Sequence, residues 1–446
     1  MFGTSGVRGT VGEEVTAALA LSVGRAVASS GYERVVVGRD IRESGIMLQD
    51  ALTAGLRECG ADVVDIGVVS TPTLARSIAW LEADAGVVIT ASHNPAPDNG
   101  IKLWLPSGKA FGPDEREEIS QRVRTDDYDQ QPWDELGSIE KRDGAIDHHV
   151  AALRSAVSLG GEDDGQGSPH VVVDVGNGTG GITARALSEL GCDVQTLNGQ
   201  QDGSFPGRPS EPNRKTLGAL MAMVEQTDAA LGIAHDGDAD RMMAVDETGA
   251  FVPKDVLLAL FARESASDGD RIAAPVDTSL AVDDAVAGVG ASVTRTEVGD
   301  VYVAERATED DVVFGGEPSG AWIWPEETLC PDGPLAACKL VELVADRGSL
   351  SALVDEIETY PIERDSIEVA KTEKSAVMDR VQTHVLETYD DADTLDGVRV
   401  DTGDGWFLIR PSGTEPVVRV TAEARDETRA DALAAEATEI VTAAVE

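Results

Sequence analysis

The sequence predicts an α/β protein with three similar βαβ-containing domains and a smaller C-terminal α+β domain. Three observations support this fold class. The 446 residues, 42% of them apolar, are too many for one ordinary core. One pattern of strand, polar loop, amphipathic helix, glycine and strand occurs three times at wide intervals. After Tyr360 and Pro361 the pattern changes to short β-like runs followed by a single helix.

The three repeats share the order expected of a βαβ unit. The first runs from Val35 through GRDIRESG to GADVVDIG, the second from Val171 through DVGNGTGG to Val194, and the third from Ile272 through PVDTSL to Val293. A glycine in each marks the predicted end of the helix. The predicted domains are residues 1–145, 146–250, 251–360 and 361–446.

Two segments separate or end these domains. SLGGEDDGQGSP, residues 158–169, has the composition of a flexible linker between the first two domains. The C-terminal domain is predicted to end in one helix that is N-capped by Asp426.

The composition is strongly acidic. Asp and Glu number 81 against 36 Lys and Arg, a formal charge of −45, and only eight of the basic residues are lysines. This charge argues against nucleic acid and anionic membranes as partners. A disordered acidic chain would have this charge too, but it would lack the apolar periodicity. We therefore interpret the charge as the acidic, lysine-poor surface of a protein from a salt-accumulating cell.

The four cysteines, Cys59, Cys192, Cys330 and Cys338, form no CxxC motif. They are expected to be packed thiols. No apolar run approaches the roughly 18 residues of a membrane span, and the N-terminus lacks the features of a signal peptide. A soluble, cytoplasmic protein is expected.

VDVGNGTGG carries Gly176, Gly178 and Gly181 after a predicted strand and before a predicted helix. This spacing fits a dinucleotide-binding fingerprint. However, the next strand, VQTLNG, lacks the terminal acidic residue that would hold a ribose, and a glycine turn that opens a helix explains the same spacing. Nicotinamide or flavin binding is therefore disfavoured.

The apolar run that ends at Ile89 leads into TASHNP, which places Ser92 beside His93 in a loop fixed by Pro95. Fixed loops beyond the carboxyl ends of strands are where open α/β sheets bind ligands. A simple Ser/Asn turn that caps the next element would give the same tripeptide. For His93 alone, a structural loop histidine is the alternative.

In LGIAHDGDADRMMAVDE, Asp236, Asp238 and Asp240 alternate between two β-like runs. Three close carboxylates repel one another unless a hard cation binds, and oxygen ligands favour Mg²⁺, Mn²⁺ or Ca²⁺ over zinc. An EF-hand loop is disfavoured because Arg241 occupies its glycine position and the flanks are strands. A solvated acidic turn is the remaining alternative, but Arg241 indicates that an anionic group also binds here.

Two further loops carry polar groups. GGEPSG presents Glu317 and Ser319, which suit the recognition of sugar hydroxyls, although this loop alone is also an ordinary turn. IRPSGTEP joins two predicted strands, and its candidate phosphate ligands are Arg410, Ser412, Gly413 and Thr414. A serine, a hard-metal site, a hydroxyl-binding loop and a phosphate site together indicate phosphoryl transfer to or from a sugar phosphate.

These loops, in this order, resemble those of the α-D-phosphohexomutase superfamily. TASHNP resembles its phosphoserine loop, DGDADR its metal loop, GEPSG its sugar loop and RPSGTEP its phosphate loop. The resemblance covers essentially the whole chain and implies four domains around a central cleft. It also implies a reversible shift of phosphate between the 6- and 1-positions of a hexose through phosphorylated Ser92 and a hexose 1,6-bisphosphate.

The resemblance implies roles for individual residues. Ser92, as its phosphate, and Asp236, Asp238 and Asp240 would hold one Mg²⁺ per chain. Lys102 and Arg241 would stabilise transfer, Lys102 or His93 would assist proton movement, and Arg8 would lie near the phosphoserine. Glu317 and Ser319 would bind sugar hydroxyls. The group that would hold the non-reacting phosphate comprises Arg410, Ser412, Gly413, Thr414 and Arg419.

One position departs from the family pattern. Some members have a histidine directly after the last glycine of the sugar loop, where this chain has Ala321. Any role of that histidine must be absent here or supplied elsewhere.

FGTSGVRG and RPSGTEP resemble the phosphoglucosamine mutase branch, and GEPSGAWIWPE resembles its archaeal members. The expected substrate is therefore glucosamine 6-phosphate, with phosphomannomutase or phosphoglucomutase activity as the alternative. A metal-dependent sugar phosphatase would have less use for a second phosphate site. A non-catalytic sugar-phosphate binding protein would need neither Ser92 nor the metal loop.

The charge predicts how stability depends on salt. At 0.01 M salt the Debye length is roughly 30 Å, so repulsion among the surplus carboxylates acts across the molecule. We expect the melting temperature to be lowest in dilute buffer and to rise with KCl well beyond the point at which simple screening saturates. Thermal unfolding followed from low to molar KCl measures this, and a flat or falling melting temperature contradicts it.

Overall fold

The computed structural model describes residue 3 and residues 6–159, 169–412 and 416–445. Most of the predicted linker at 158–169 and the phosphate-loop residues Gly413 and Thr414 lie outside this part of the chain. The chain divides into two compact units. We call Met1–Lys254 with Ser319–Val354 the N-terminal unit, and Asp255–Pro318 with Asp355–Glu446 the C-terminal unit.

The first part of the chain contains six strands and five helices. The strands are β1 (Val7–Thr10), β2 (Arg34–Arg39), β3 (Asp62–Val68), β4 (Ala85–Ile89), β5 (Asp98–Trp104) and β6 (Ile139–Lys141). The helices are α1 (Ala17–Ser29), α2 (Gly45–Glu58), α3 (Thr71–Trp80), α4 (Pro113–Thr125) and α5 (Ala145–Ala156). The strands form one sheet in the order β1-β5-β4-β2-β3-β6, in which β2, β3, β4 and β6 are parallel and β5 is antiparallel to β4 and β1.

The second sheet lies in the same unit. Its elements are β7 (His170–Asp174), α6 (Gly181–Glu189), β8 (Asp193–Leu197), α7 (Gly218–Glu225), β9 (Leu231–His235) and β10 (Met242–Asp246). The strand order is β10-β9-β7-β8. Strand β7 is parallel to β8 and β9, whereas β9 and β10 form an antiparallel hairpin. The metal loop predicted from the sequence connects these two hairpin strands.

The third predicted domain is shared between the two units. Its elements in the C-terminal unit are α8 (Lys254–Ser265), which begins at the boundary, β11 (Arg271–Pro275), α9 (Leu280–Ala287), β12 (Ser292–Thr296), α10 (Asp300–Arg306) and β13 (Val312–Glu317). Strand β11 is parallel to β12 and to β13. The elements that fall in the N-terminal unit are β14 (Ala321–Ile323), α11 (Gly333–Arg347) and α12, which ends at the boundary (Leu350–Asp355).

The C-terminal domain is a five-stranded antiparallel sheet with two helices. Its elements are β15 (Ile362–Glu368), α13 (Lys374–Thr388), β16 (Ala392–Asp393), β17 (Val398–Asp401), β18 (Gly405–Pro411), β19 (Val417–Ala424) and α14 (Glu427–Val445). The strand order is β15-β19-β18-β17-β16. Asp426 accepts a hydrogen bond from Arg429 N at 3.0 Å, as the predicted N-cap requires.

The prediction of three α/β domains and a different C-terminal domain is confirmed. The pairs β2–β3, β7–β8 and β11–β12 are each parallel and each enclose one helix, α2, α6 and α9. Gly60, Gly191 and Gly290 follow these helices with φ of 84–94°, a conformation that favours glycine. We retain the boundaries at 145, 250 and 360 as a proposal for the limits of the four domains.

All four cysteines are buried and free of disulfide bonds. Burial raises the pKa of the Cys192 thiol to about 11 and also raises that of Cys59 and Cys338, so these thiols stay protonated and pack as small apolar groups. Among the described residues, no helix has the length and apolar composition needed to span a membrane.

Within the C-terminal unit, buried Glu423 joins the third and fourth predicted domains. This β19 residue accepts hydrogen bonds from Ser279 Oγ and Leu280 N, at 2.5 and 2.7 Å, at the start of α9. Trp406 Nε1 on β18 donates to the same carboxylate at 2.8 Å. Because a buried carboxylate must be hydrogen-bonded, the two donors at the start of α9 link that helix to the antiparallel sheet that carries the predicted phosphate loop.

Candidate active site

Ser92 follows β4 and has a left-handed backbone, with φ of 51°. This conformation costs a non-glycine residue about 1–3 kcal/mol, so neighbouring contacts must stabilise it. Thr90 Oγ1 accepts a hydrogen bond from Ser92 N at 2.9 Å and donates one to Asp40 Oδ2 at 2.7 Å. The buried Ser92 Oγ donates to Asp236 Oδ2 at 2.6 Å. The loop therefore directs the serine hydroxyl at the predicted metal ligands.

The β9–β10 hairpin brings Asp236, Asp238 and Asp240 together. All three are buried, and one carboxylate oxygen from each lies within 4.8 Å of those of the other two. His235, the last residue of β9, fixes the shape of the loop because its Nδ1 donates to Arg241 O at 2.8 Å. Its Nε2 therefore accepts from Thr183 Oγ1 at 2.8 Å. Burial lowers the pKa of His235 to about 4, which keeps the ring neutral as this pairing requires.

The pKa values of Asp236 and Asp238 are shifted in opposite directions. Burial raises the pKa of Asp236 well above its usual value, and the negative charges of Asp240 and Asp238 raise it further. Burial also acts on Asp238, but the opposing effects of Lys102, Thr71 and Arg8 outweigh it and lower the pKa of this residue. Because the neighbouring carboxylates raise the pKa of Asp236, a cation bound among the three oxygens would relieve their mutual repulsion.

The donor set fits a hard divalent cation. Asp238 Oδ2 accepts from Thr71 Oγ1 at 2.5 Å and from Lys102 Nζ at 3.0 Å. Asp238 Oδ1 is buried and makes no hydrogen bond to any described residue. Because a buried carboxylate oxygen without a partner is costly, a cation among these oxygen ligands would satisfy it.

Lys102 reaches the aspartates because of the β4–β5 register, in which it pairs with Val88 on the strand that leads to Ser92. Its buried ammonium also lies 2.6 Å from Asp240 Oδ2. The two carboxylates thus hold the ammonium group of Lys102 next to the serine.

Arg8, Arg241 and His93 lie around the same cluster. Arg8 is on β1 opposite Gly100 of β5, and its buried Nε has no hydrogen-bond acceptor among the described residues. Arg241 N donates to Asp236 Oδ1 at 3.3 Å. His93 Nδ1 lies 3.4 Å from Ser92 Oγ. Burial, together with the positive charges of Arg241, Arg8 and Lys102, lowers the pKa of His93 to about 2, so its ring is neutral.

Three contacting residues were not identified from the sequence. Thr71, at the start of α3, binds Asp238 through its hydroxyl and, at 2.9 Å, donates its main-chain N–H to Asp238 O. Arg42 and Ser210 both donate to Ser92 O, at 2.8 and 2.9 Å. For Arg42 a signal was present, because GRDIRESG is the polar loop of the first βαβ unit. Thr71 and Ser210 lie in segments without a recognisable motif.

The glycine-rich turn before α6 packs against the metal loop. A Cβ at Gly178 would lie 2.5 Å from Gly237 O, which is too close for any side chain. Thr179 N donates to the same oxygen at 3.0 Å. These contacts explain the glycine spacing by a close approach of two backbones.

The two halves of the predicted sugar loop fall in different units. Glu317 ends β13, is buried and belongs to the C-terminal unit, whereas Ser319 belongs to the N-terminal unit. Gly320 O accepts from Met242 N at 3.0 Å, and Ala321 forms a bridge with Arg241. The position at which some family members have a histidine is therefore a buried alanine next to the metal loop.

The predicted phosphate loop concentrates positive charge in the C-terminal unit. Arg410 of β18 pairs directly with Arg419 of β19, so their side chains lie on the same face of the sheet. Lys374, at the start of α13, donates to Ser412 O. Arg410 Nε lies 3.0 Å from Asp396 Oδ1 as an ion pair, although it is not aligned as a hydrogen bond. Three cations around one loop favour an anionic ligand.

The sequence matches the four domain models described as "Phosphoglucomutase/phosphomannomutase", alpha/beta/alpha domains I, II and III and C-terminal domain. The matched residues are 1–130, 147–249, 253–360 and 366–440, respectively. A "probable phosphoglucosamine mutase" of Methanopyrus kandleri is 48% identical over 451 residues, a match that covers 100% of this chain and 98% of that protein.

Solved structures with the same fold carry related names. A phosphoglucomutase/phosphomannomutase family protein from Burkholderia thailandensis has a TM-score of 0.86 and 29% identity, covering 100% of this chain and 98% of that one. A putative phosphomannomutase from Thermus thermophilus has a TM-score of 0.79 and 28% identity, covering 99% of both chains. Each of these three matches therefore covers at least 98% of this chain and of the similar protein.

The unpaired oxygen of Asp238 leads to a prediction about metal binding. We expect Asp238→Asn to weaken Mn²⁺ binding by about tenfold or more, or ~1.4 kcal/mol, because it removes one negative charge and one anionic ligand. The melting temperature should fall as well, because the lowered pKa of Asp238 shows that the fold stabilises its ionised form, which pairs with buried Lys102. Mn²⁺ binding measured by calorimetry and by electron paramagnetic resonance tests this.

Asp246→Asn is the matched control, because Asp246 is a buried aspartate at the other end of the same hairpin and outside the cluster. Unchanged Mn²⁺ affinity in Asp238→Asn, or equal losses in both variants, would place the metal elsewhere.

Proposed function

Since this chain belongs to the phosphoglucomutase/phosphomannomutase family, we propose that it moves phosphate between the 6- and 1-positions of a hexose phosphate through phosphorylated Ser92 and a hexose 1,6-bisphosphate. The observation that carries this proposal is the hydrogen bond of 2.6 Å from Ser92 Oγ to Asp236 within a buried cluster of three aspartates. A serine hydroxyl at a metal-binding cluster is the arrangement that phosphoryl transfer to and from serine requires.

The proposed reaction consists of two transfers. In the first, the free hydroxyl oxygen of the sugar phosphate forms a bond to the phosphorus on Ser92 as the bond from that phosphorus to Ser92 Oγ breaks. The sugar hydroxyl loses a proton, and Ser92 Oγ gains one. In the second, Ser92 Oγ loses its proton and forms a bond to the phosphorus of the other phosphate of the bisphosphate, as the bond from that phosphorus to the sugar oxygen breaks. The sugar oxygen gains a proton, and Ser92 is phosphorylated again. The enzyme therefore neither gains nor loses phosphate over the cycle.

The residues of the cluster have distinct proposed roles. Lys102, 3.0 Å from Asp238 and 2.6 Å from Asp240, would stabilise the negative charge of the transferring group, as would Arg241 and Arg8. Lys102 or His93 would assist proton movement to and from the reacting oxygens. The family is metal-dependent, and we propose one Mg²⁺ per chain, held by Asp236, Asp238, Asp240 and an oxygen of the Ser92 phosphate. Bound there, Mg²⁺ supplies positive charge that offsets the charge of the phosphoryl group.

Two loops are proposed to bind the remainder of the substrate. Glu317 and Ser319 would bind sugar hydroxyls. Arg410, Arg419 and Ser412 would hold the phosphate that does not react, and Gly413 and Thr414 belong to this proposal on sequence grounds alone. The pairing of Arg410 with Arg419 and the nearby Lys374 support an anion site in this loop.

The covalent mechanism predicts that purified protein carries phosphate on Ser92 in part of its molecules. We expect intact-mass and peptide spectra to show an added phosphoryl group that is absent from Ser92→Ala, and turnover to fall about 10³-fold or more in that variant. Ser107→Ala, at an exposed serine in the turn after β5, is the control. It should retain both the phosphoryl group on Ser92 and the turnover of the unchanged protein. Full turnover by a Ser92→Ala protein that was never phosphorylated would rule out the covalent mechanism.

For the substrate, we propose glucosamine 6-phosphate, which is converted to the 1-phosphate. The name of the Methanopyrus kandleri relative and the motifs FGTSGVRG and RPSGTEP support this choice. Buried Glu317 also supports it, because a carboxylate binds an ammonium at C2 about twice as strongly as a neutral hydroxyl.

We expect kcat/KM for glucosamine 6-phosphate to exceed that for glucose or mannose 6-phosphate by about tenfold, or ~1.4 kcal/mol. Glu317→Gln should reduce this ratio, since the amide keeps the shape of the side chain and removes its charge. Parallel kinetics on the three hexose 6-phosphates, at high KCl and with a sugar bisphosphate activator, measure it. A preference for mannose or glucose phosphate would contradict the proposed substrate but would not contradict the proposed mutase reaction.

A further inference from the structure

The polar loop between β2 and α2 contributes a fully buried arginine to the serine loop. The side chain of Arg42 is 0% exposed, and its Nε pairs with Asp40 Oδ2 at 3.0 Å. Asp40 also accepts the hydrogen bond from Thr90, whose own hydroxyl accepts from Ser92 N. Arg42 and Ser92 N are therefore linked through one buried carboxylate.

All the side-chain nitrogens of Arg42 act as donors. Nη1 donates to Pro95 O and Asp98 O, and Nη2 donates to Ser92 O and Asn94 O, over distances of 2.7–2.8 Å. A planar guanidinium with five donors in fixed directions makes these bonds at once, whereas the three rotating donors of a lysine cannot. The Phe205 ring lies 5.0 Å from the guanidinium carbon and covers it. Arg42 thus sets the path of the whole serine loop.

Ser210 holds the same carbonyl from another direction. Its buried Oγ donates to Ser92 O at 2.9 Å and accepts from Gly237 N at 3.0 Å. One hydroxyl therefore links the serine loop to the metal loop. A Cβ at Gly237 would lie 2.8 Å from Ser92 O and 2.9 Å from Ser210 Oγ, so only glycine permits this approach.

We propose that Arg42 and Ser210 are positioning residues that hold the main-chain carbonyl of Ser92, so that the left-handed serine keeps its Oγ directed at the aspartates. This inference rests on the proposed role of Ser92 as phosphoryl carrier. The serine must return to one position in both transfers, while the charge on its side chain changes. The carbonyl contacts are independent of that charge, because they involve only main-chain and neutral or permanently charged groups.

The test uses Ser210→Ala, Ser210→Thr and Arg42→Lys in the full-length protein. Mass spectrometry of samples quenched at successive times during a single turnover measures how fast phosphorylated Ser92 loses its phosphoryl group to glucosamine 6-phosphate. We expect Ser210→Ala and Arg42→Lys to slow this transfer and kcat by about tenfold to 10²-fold, because small displacements of a reacting group have effects of this size. The KM for the sugar phosphate should change less than threefold. Ser210→Thr, which keeps the hydroxyl, should transfer the phosphoryl group at the rate of the unchanged protein.

Ser204→Ala is the matched control, because this exposed serine lies in the same segment and bonds only to Asp202 in the described structure. A normal transfer rate in Ser210→Ala, or a loss that Ser210→Thr does not restore, would overturn the positioning role. Equal effects on KM and kcat would overturn it too. Should Arg42→Lys fail to fold, the Ser210 series decides alone.

Ser92→Ala separates this inference from the proposed function. If Ser92→Ala is inactive while Ser210→Ala is normal, the positioning role fails and the phosphoserine mechanism stands. If Ser92→Ala retains full turnover, the phosphoserine mechanism fails first, and with it the inference.

Discussion

Burial of three carboxylates on one short loop is the constraint on which the rest of the N-terminal unit depends. Taking such groups out of water is costly unless cations and donors surround them. Here the first sheet supplies Lys102 from β5 and Arg8 from β1, and the start of α3 supplies Thr71. The antiparallel strands β5 and β1 at the edge of an otherwise parallel sheet thus bring cations to Ser92, which lies beyond the carboxyl end of β4.

The metal loop between β9 and β10 also explains why glycines are required at several separate places in the chain. Gly178 approaches Gly237 O, Gly237 leaves room for Ser92 O, and a Cβ at Gly333 would lie 2.6 Å from Arg241 O and 2.8 Å from Ala239 O. Each of these positions is a contact between backbones, where any side chain would separate the two segments. The loop is therefore held by main-chain contacts on several sides, which fixes the carboxylates before a cation binds.

Much of this site was predictable because each motif follows a strand with a clear apolar run. The three βαβ units, the convergence of the aspartates and the loop of Ser92 all follow from local sequence. The contacts of Ser92 O do not, because Arg42 and Ser210 are 50 and 118 residues away, and Thr71 is 167 residues from Asp238. A serine or threonine in a turn has the same sequence signature whether it caps a helix or binds a distant carbonyl. Glycines likewise look alike whether they approach a pyrophosphate or another backbone.

Because the chain is strongly acidic, a cluster of basic residues such as that at the predicted phosphate loop is informative about ligand binding. Although the chain has 81 acidic and 36 basic residues, Arg410 and Arg419 lie directly opposite each other, and Arg410 also forms an ion pair with Asp396. Opposed pairs of like charge are destabilising unless an anion lies between them. At 0.15 M salt the Debye length is about 8 Å, so distant surface carboxylates are screened while groups in contact are not. Under the proposed function, an anionic sugar phosphate is therefore selected by local cations in direct contact with it, and the net charge of the whole molecule can be strongly negative without preventing binding.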